Sequence, residues 1–311
     1  MNKVVKRSYG VDVSSFQGVE LSAMASAGAK FAIVKVSEGT GYQNPKAQAQ
    51  VNSAIANGIM VSGYHYAHFG ASRSQAIVEG NYAVSSAKQA GIKPGSYLAC
   101  DYEEGSGNTT TRNIGSNTSA ILAFLNVIAE AGYKPLLYSG KSILTNNVNV
   151  KQITDMYGTC LWVASYKTMD RQDNADFGWF PSMDNVAIWQ FTDNWKGLRV
   201  DGNISLIDLK TDGKPVSKPT IKQSAQQSWV DEIGDTWYKE EGKFYPNGTI
   251  NIRYGARTTS DIIGTVTKGD CVKYDAYSRH GGYVWIRQPR ADRQPGFLVC
   301  RKGNDPWGRF E

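Results

Sequence analysis

Two acidic residues separated by one position, Asp101 and Glu103, form the pair in this sequence best suited to acid–base chemistry. They follow an apolar run typical of a β-strand, in which alternate side chains share a face, so both carboxylates would enter one pocket about 6.6 Å apart along the chain. Two neighbouring carboxylates resist double ionisation, and the pKa of one should rise. A neutral glutamic acid of this kind protonates a glycosidic oxygen. The pattern alone also fits a solvated strand end, since Glu104 follows.

Further polar residues stand at the ends of other predicted strands. Asp12 interrupts an apolar strand, and its alternative role is that of a buried structural aspartate bonded to backbone amides. Because the functional loops of a (β/α) barrel follow the strand ends, such side chains converge on one pocket. Converging carboxylates indicate a catalytic site rather than packing. The other strand-end residues are Lys35 with Glu38, Tyr64 with His65, Tyr138, and Gln190.

Aromatic residues are concentrated around the same strand ends, and sugars bind by stacking on aromatic faces. We expect about half of these residues to belong to the barrel core instead. Together with the carboxylates, they favour a glycosidase. The aromatic residues are Phe16, Tyr64, Tyr66, Tyr102, Tyr138, Trp162, Tyr166, Trp189 and Phe191.

Alternating strand and helix signals must position these residues. Five strand-then-helix units in a row require a parallel sheet, either a barrel or a doubly wound sheet. After Tyr138 the helix signals thin out, leaving one short helix at 150–156. The pattern predicts an α/β fold, an irregular (β/α) barrel of about eight strands and five helices. The predicted strands are 9–13, 31–36, 59–66, 97–101, 135–138, 161–165, 186–191 and 204–209.

The composition is that of a globular protein. The chain has 311 residues, of which 41% are apolar and 20% charged, and no apolar run approaches the roughly 18 residues of a membrane span. The first ten residues lack the apolar core of a signal peptide. The four cysteines lie far apart and the three histidines do not complete a metal site with them, so we expect buried free thiols. They are Cys100, Cys160, Cys271 and Cys300.

Charge and residue type divide the chain near residue 210. Up to Asp212 there are 18 basic and 17 acidic residues, and after it 16 and 11, so the C-terminal part carries a charge of +5. Such a module suits an acidic polymer: nucleic acid, an anionic cell envelope or an acidic membrane surface. We predict a barrel domain in 1–210, a linker in 211–227 and a small all-β barrel in 228–311. The strands predicted there are 249–253, 262–266, 271–277, 283–288 and 296–300.

The barrel segment resembles glycoside hydrolase family 25, the Chalaropsis-type lysozymes found among phage endolysins and bacterial autolysins. The resemblance covers residues 8 to about 209, and its segments keep their order. They read GVDVSSFQG from Gly10, FAIVKVSEGTGYQNP from Phe31, GYHYAHF from Gly63, CDYEEG from Cys100, AGYKPLLYSG from Ala131, LWVASY from Leu161 and AIWQFTDNWKGLRVDGNISLID from Ala187.

The resemblance implies cleavage of the β-1,4 bond between N-acetylmuramic acid and N-acetylglucosamine in peptidoglycan. It makes Glu103 the general acid and Asp101 its partner, with Asp12 and Asp201 as further catalytic carboxylates. The sugar-binding residues that it implies are Lys35, Tyr64, Tyr138 and Gln190.

The last segment departs from the commonest family form, in which an Asp follows two residues after Gly-Asn. Ser205 occupies that position here. Either Asp201 or Asp208 is therefore the last-strand carboxylate, and we favour Asp201.

The carboxylate spacing lies between those of retaining and inverting glycosidases and does not decide the stereochemistry. The 2-acetamido group of the substrate can itself attack the anomeric carbon, supported by Asp101 or Asp201, with Glu103 then activating water. This route retains the configuration and needs no metal or organic cofactor. The alternatives are a chitinase-like hydrolase and a non-catalytic wall-binding lectin.

Residues 249–310 resemble a bacterial SH3-type cell-wall-binding domain, on the segments INIR, GTVTKG, GYVWIR and WGRF. The resemblance implies binding to peptide stems or cross-bridges of bacterial peptidoglycan. Our candidates for an aromatic groove are Trp307, Tyr254 and Tyr274, whereas Trp285 suits the core. Nucleic acid is the rival partner, but the arginines lack interleaved exposed aromatics.

We expect a monomer that binds no nucleic acid and does not insert into a membrane. Without a signal peptide, it would stay in the bacterial host cytoplasm and reach the wall after membrane permeabilisation. Secretion by a non-signal-peptide route is the alternative.

Overall fold

The structure, a computed structural model, describes residues 2–105, 107–111, 113–211, 228–231, 234–290, 294–303 and 305–311. The chain divides into two units, Met1–Thr220 and Ile221–Glu311. Except for Thr211, the predicted linker 211–227 lies outside the described residues.

The first unit alternates strands and helices along most of its length. Its strands are β1 Asn2–Val4, β2 Tyr9–Val13, β3 Phe31–Glu38, β4 Tyr42–Gln43, β5 Met60–Tyr66, β6 Tyr97–Asp101, β7 Lys134–Gly140, β8 Leu161–Ala164, β9 Val186–Thr192, β10 Asp201–Ser205 and β11 Leu209–Thr211. Its helices are α1 Ser22–Ser26, α2 Ala47–Ala56, α3 Arg73–Gln89, α4 Ile114–Glu130, α5 Lys141–Asn146 and α6 Val150–Tyr157, with a 3₁₀ turn at Phe177–Trp179.

Eight of these strands close into a barrel, in the order β2, β10, β9, β8, β7, β6, β5, β3, with β3 pairing back to β2. Seven of them run parallel, and β10 is antiparallel to both of its neighbours. The predicted α/β barrel is thus confirmed. Because β10 is antiparallel, its first residue lies at the same end of the barrel as the last residues of the parallel strands.

The alternation along β3 separates two cores. Phe31 and Ile33 belong to one buried cluster with residues of other barrel strands, whereas Ala32 and Val34 belong to a larger cluster that includes residues of the helices. Successive side chains of a strand point to opposite faces, so the first cluster fills the barrel and the second joins it to the helices. Gly10 is required here, because a Cβ at this position would lie 2.6 Å from the ring of Phe31.

The second unit is a sheet of antiparallel strands, and its described residues contain no helix. The strand order is β12-β13-β16-β17-β18-β14-β15, with β19 on β18 and β20 on β13. The strands are β12 Ser228–Val230, β13 Thr236–Pro246, β14 Ile250–Arg253, β15 Ile262–Val266, β16 Val272–His280, β17 Tyr283–Gln288, β18 Gly296–Lys302, β19 Asp305–Pro306 and β20 Gly308–Phe310.

Three expectations need correction. The last barrel strand is Asp201–Ser205 and not 204–209. Its residues are mostly polar, so the apolar pattern did not reveal it, but most of them are buried in the folded barrel. The long strand Thr236–Pro246 was not predicted, since charged side chains occupy its centre. Cys271 is exposed, although the other three cysteines are buried free thiols as expected.

No helix among the described residues is long and apolar enough to cross a membrane.

Candidate active site

A cavity of about 240 Å³ is lined by the four carboxylates that the family resemblance implies and by all four sugar-binding candidates. Asp208 and the strand-end Glu38 are not among its lining residues. The lining residues come from separate strands and their following loops, which is where a barrel gathers its functional groups. They are Asp12, Val13, Ser14, Phe16, Gln17, Lys35, Tyr64, Tyr66, Asp101, Glu103, Tyr138, Trp162, Gln190 and Asp201.

Asp12 and Asp201 are directly opposite each other on the antiparallel strands β2 and β10. Burial raises the pKa of Asp201 to about 9, and the charge of Asp12 and a hydrogen bond to it add to this effect. Burial also raises the pKa of Asp12, against hydrogen bonds that include one from Asp201. The two carboxyl groups therefore share a proton, with Asp201 as the donor.

Two side-chain amides donate hydrogen bonds to the Asp12 carboxyl group of this pair. Gln190 Nε2 donates to Asp12 Oδ2 over 2.8 Å, and Asn203 Nδ2 donates to the same oxygen over 2.7 Å. Both amides are buried, as is Asp12. Hydrogen bonds to a charged acceptor are the strong ones, so these two donors favour the ionised form of Asp12.

Asp101 and Glu103 form a second acidic pair at the end of β6. Burial raises the pKa of Asp101 well above its ordinary value, and the charge of Glu103 raises it further. Burial and the charge of Asp12 raise the pKa of Glu103, while a hydrogen bond to Tyr138 and the charge of Lys35 oppose the rise. Because the two sites interact, the retained proton belongs to the pair rather than to one residue. Such a pair can act as an acid above the pH at which an ordinary carboxyl group is ionised.

The Lys35 ammonium group is fixed beside this pair. Its Nζ lies 2.6 Å from Glu38 Oε2 and 4.9 Å from the ring centroid of Tyr66. The other Glu38 oxygen lies 3.0 Å from His68 Nε2. The positive charge of Lys35 lowers the pKa of both Asp101 and Glu103, so its position affects how firmly the pair holds its proton.

Aromatic residues form one wall of the cavity. The rings of Tyr138 and Trp162 have centroids 4.4 Å apart, and Tyr64 packs edge-on against Trp162 at 6.0 Å. Phe16 is 92% exposed and available for stacking against a sugar. Other aromatic residues of the predicted set are buried in the core between barrel and helices: Tyr102, Trp189 and Phe191.

Asp208 lies away from the cavity. Its carboxylate pairs with Lys3 Nζ at 2.8 Å and accepts a hydrogen bond from the backbone N–H of Lys6. It follows the end of β10 that pairs with the start of β2, whereas Asp201 is opposite Asp12. The structure thus brings Asp201, and not Asp208, to the other three carboxylates.

Asn203 was missed in the sequence, and Tyr166 was considered only for its aromatic ring and not for its hydroxyl. Asn203 accepts from Trp162 Nε1 over 2.8 Å while donating to Asp12, and it is fully buried. The Tyr166 hydroxyl donates to Gln190 Oε1 over 2.5 Å. The sequence does contain a signal for Asn203, because a polar amide two residues after Asp201 shares its strand face.

The three aromatic candidates of the second unit have different environments. Tyr254 is exposed, and Trp307 is half-buried with its ring 6.4 Å from that of Tyr283. Tyr274 is buried, and its hydroxyl donates to Glu240 Oε1 over 2.9 Å. Neither of the two described cavities that Tyr274 lines includes Tyr254 or Trp307.

The match to a known protein family lies within the first unit of the chain. The sequence profile described as Glycosyl hydrolases family 25 matches residues 11–198. The lysozyme of Lactococcus phage mv1 is 42% identical over 174 residues, which are 56% of this chain and 86% of that protein. The lysozyme of Streptococcus phage Cp-9 is 36% identical over 227 residues, 73% of this chain and 62% of that protein.

Among solved structures, the crystal structure of the wild-type modular Cpl-1 endolysin complexed with a peptidoglycan analogue matches with a TM-score of 0.58 and 25% identity. The match covers 94% of this chain and 96% of that one.

Proposed function

Because the chain belongs to glycosyl hydrolases family 25, we propose that it is a peptidoglycan muramidase of the endolysin type. It hydrolyses the β-1,4 bond between N-acetylmuramic acid and N-acetylglucosamine. The phage relatives that are named lysozymes support this substrate, as does the endolysin crystallised with a peptidoglycan analogue.

The acidic pair of Asp101 and Glu103 is the observation that carries the proposal. An enzyme that breaks a glycosidic bond must protonate a poorly basic oxygen, and this requires a carboxyl group that keeps its proton near neutral pH. The raised pKa values of both residues meet that requirement.

Proton transfer from Glu103 begins the reaction. The proton passes to the oxygen of the scissile bond while the bond from that oxygen to the anomeric carbon breaks. The departing sugar leaves with a new hydroxyl group, and Glu103 is left as a carboxylate. Its location at the mouth of the cavity, half-buried and beside Tyr138, suits a group that must touch the substrate.

The carbonyl oxygen of the 2-acetamido group captures the anomeric carbon and closes a five-membered oxazolinium ring. Asp101 supports this step by accepting the acetamido N–H, which orients the group and stabilises its positive charge. Asp101 Oδ1 is buried and has no hydrogen-bond partner among the described residues, so it is available for this contact. Asp201 is less suited, because it donates its own proton to Asp12.

Water then completes the reaction. Glu103, now a base, removes a proton from a water molecule, whose oxygen attacks the anomeric carbon and opens the oxazolinium ring. Each of the two substitutions inverts the anomeric carbon. The product therefore retains the β configuration.

The second unit serves to hold the enzyme on the wall, as an SH3-type binding domain. Its all-β fold and its net charge of +3, from 14 basic and 11 acidic residues in 221–311, support a role in binding the anionic envelope. A tether of this kind raises the local concentration of substrate without changing the chemistry. We propose that the protein acts as a monomer. The phage origin of its relatives supports entry from the host cytoplasm after membrane permeabilisation.

Digestion of purified peptidoglycan tests the activity. New reducing ends of muramic acid are expected, and Glu103→Gln serves as the inactive control. Reducing ends of glucosamine would instead indicate a glucosaminidase, and their complete absence a lectin. Proton NMR of the first product, recorded before mutarotation, should give the β anomer. The α anomer would exclude the acetamido route and indicate direct attack by water.

A further inference from the structure

The second unit has a groove of about 200 Å³ on one face of its sheet, which we call the Arg279–Arg301 groove. It is smaller than the roughly 300–1,000 Å³ of sites for drug-sized ligands. It therefore suits one or two residues of a chain rather than a large molecule. The lining residues are Glu240, Tyr274, Tyr277, Arg279, Val284, Ile286, Cys300, Arg301 and Phe310.

Two guanidinium groups stand on either side of one apolar residue. Val284 of β17 is paired with Arg279 of β16 and with Arg301 of β18, so the two arginines flank it across three neighbouring strands. Neighbouring strands are about 4.8 Å apart, and both long side chains can reach a ligand atom above Val284. Among the described residues, neither arginine forms a salt bridge with a carboxylate of the protein. Their charge is thus available to an anion from outside.

The rest of the groove is not suited to a simple polyanion. Glu240 contributes a carboxylate, and the hydroxyl of Tyr274 donates to its Oε1 over 2.9 Å. The other carboxylate oxygen of Glu240 can accept a hydrogen bond from an N–H group of a ligand. Between the charged groups lie the apolar side chains of Val284, Ile286 and Phe310. A ligand that matches has a carboxylate, an N–H donor and a small apolar group close together.

We propose that the Arg279–Arg301 groove binds the free carboxylate end of a short peptide. The terminal carboxylate lies between the two guanidinium groups, which bind carboxylates through parallel hydrogen bonds. The preceding N–H donates to Glu240, and a small side chain rests on the apolar residues. Within the proposed function, which this inference extends, the ligand is an uncross-linked peptide stem of the wall. A polymer of phosphate groups fits less well, because Glu240 repels it.

The test compares an N-acetylated Ala-D-Ala dipeptide with its C-terminal amide, using the full chain and ligand-observed NMR. The free acid should bind saturably with a Kd of about 1 mM or below, and the amide at least about tenfold more weakly, because it lacks the charge. Arg279→Gln and Arg301→Gln should each weaken binding of the acid about tenfold. Arg279→Lys keeps the charge without the planar fork and should give an intermediate value.

Lys268→Gln is the matched control, since it removes the same charge from an exposed turn outside the groove. Equal binding of acid and amide, equal loss in Lys268→Gln, or no saturable binding up to about 10 mM would overturn the proposal. So would tight binding of poly(glycerol phosphate) that is lost in the same arginine variants, which would make the groove a polyanion site. Glycan cleavage by the unmodified protein is measured separately and tests the proposed function alone.

Discussion

Two carboxyl pairs that each hold a proton occupy one cavity, and the ionised member of one pair affects the other. The charge of Asp12 raises the pKa of Glu103, while Asp201 hydrogen-bonds to Asp12. The hydrogen bonds from Asn203 and Gln190 lower the pKa of Asp12 against the larger effect of its burial. Groups that hydrogen-bond to Asp12 therefore affect Glu103 through the charge of Asp12.

Replacing Glu103 by Gln should lower kcat by about 10²–10⁴-fold, because the amide keeps the shape of the side chain but has no proton to give. Steady-state cleavage of soluble glycan fragments measures this. Glu104→Gln is the matched control, since Glu104 is exposed and bonded to Thr110. If Glu103→Gln kept more than about a tenth of the activity, Glu103 would not be the general acid.

Asp201→Ala should lower kcat/KM about 10²-fold, because Asp12 loses its donor and the cavity loses an electrostatic contact. Asp208→Ala should change it by less than about twofold, since an exposed ion pair with Lys3 contributes little. The same cleavage assay compares the two variants. A larger loss in Asp208→Ala than in Asp201→Ala would reverse their assignment.

Lys35→Met should move the basic limb of the pH–rate profile to higher pH. Lys35 lowers the pKa of both Asp101 and Glu103, so without it the pair keeps its proton to higher pH and the acid form persists. Profiles of kcat/KM against pH give the position of this basic limb. Lys88→Met, on the last turn of α3, should leave the limb in place. A downward shift in Lys35→Met would contradict the electrostatic role of Lys35.

At the scale of elements, the sequence predicts those strands whose apolar runs are buried on both faces. Tyr9–Val13 and Tyr97–Asp101 were predicted with the observed bounds, because a parallel barrel strand is apolar almost throughout. The strand Asp201–Ser205 was not, since Asp201, Gly202 and Asn203 have no strand propensity. Their burial depends on partners in β2 and β8 that are distant in sequence, which a local pattern does not contain.

As with the strands, some residues of the candidate site could be predicted from the sequence and others could not. Asp12, Asp101 and Glu103 stand out in the sequence, because burying a charged group in or next to an apolar strand costs free energy. A charged residue in such a place therefore indicates a functional role. Asn203 does not stand out, because uncharged polar residues are common in any loop or strand, and Tyr166 stands out only for its aromatic ring. Their role depends on hydrogen bonds to Asp12 and Gln190, which only the closed barrel brings within reach.

Asn203 also joins three strands of the barrel, and its replacement should weaken the fold. Asn203→Leu removes the hydrogen bonds to Trp162 and Asp12 and leaves both groups buried without these contacts. The free energy of unfolding of the barrel should fall by about 3 kcal/mol, as measured by urea denaturation. Asn81→Ala, at an exposed position of α3, should change it by less than about 0.5 kcal/mol. A loss in Asn203→Leu no greater than in this control would mean that the network adds no stability.

At the scale of the whole molecule, the two units differ in fold, while each carries a net charge of +3, spread over 220 residues in the first unit and over 91 in the second. The carboxylate cavity lies entirely within the first unit. The cavity takes none of its lining residues from the second unit, and we propose that the second unit serves in targeting. Charge attraction to an anionic wall weakens with salt, whereas the chemistry of a buried pair is screened much less.

Deleting residues 222–311 should leave a folded barrel that cleaves soluble glycan fragments at the rate of the full chain, since every residue of the catalytic cavity remains. On intact cell walls the truncated protein should be slower, because it has lost the tether that raises local concentration. The difference should shrink as salt rises, to the extent that the net charge of +3 on the deleted residues supplies the attraction. Turbidity of wall suspensions at several salt concentrations measures both proteins. If the truncated barrel cleared walls as fast as the full chain at every salt concentration, the second unit would not be a targeting domain.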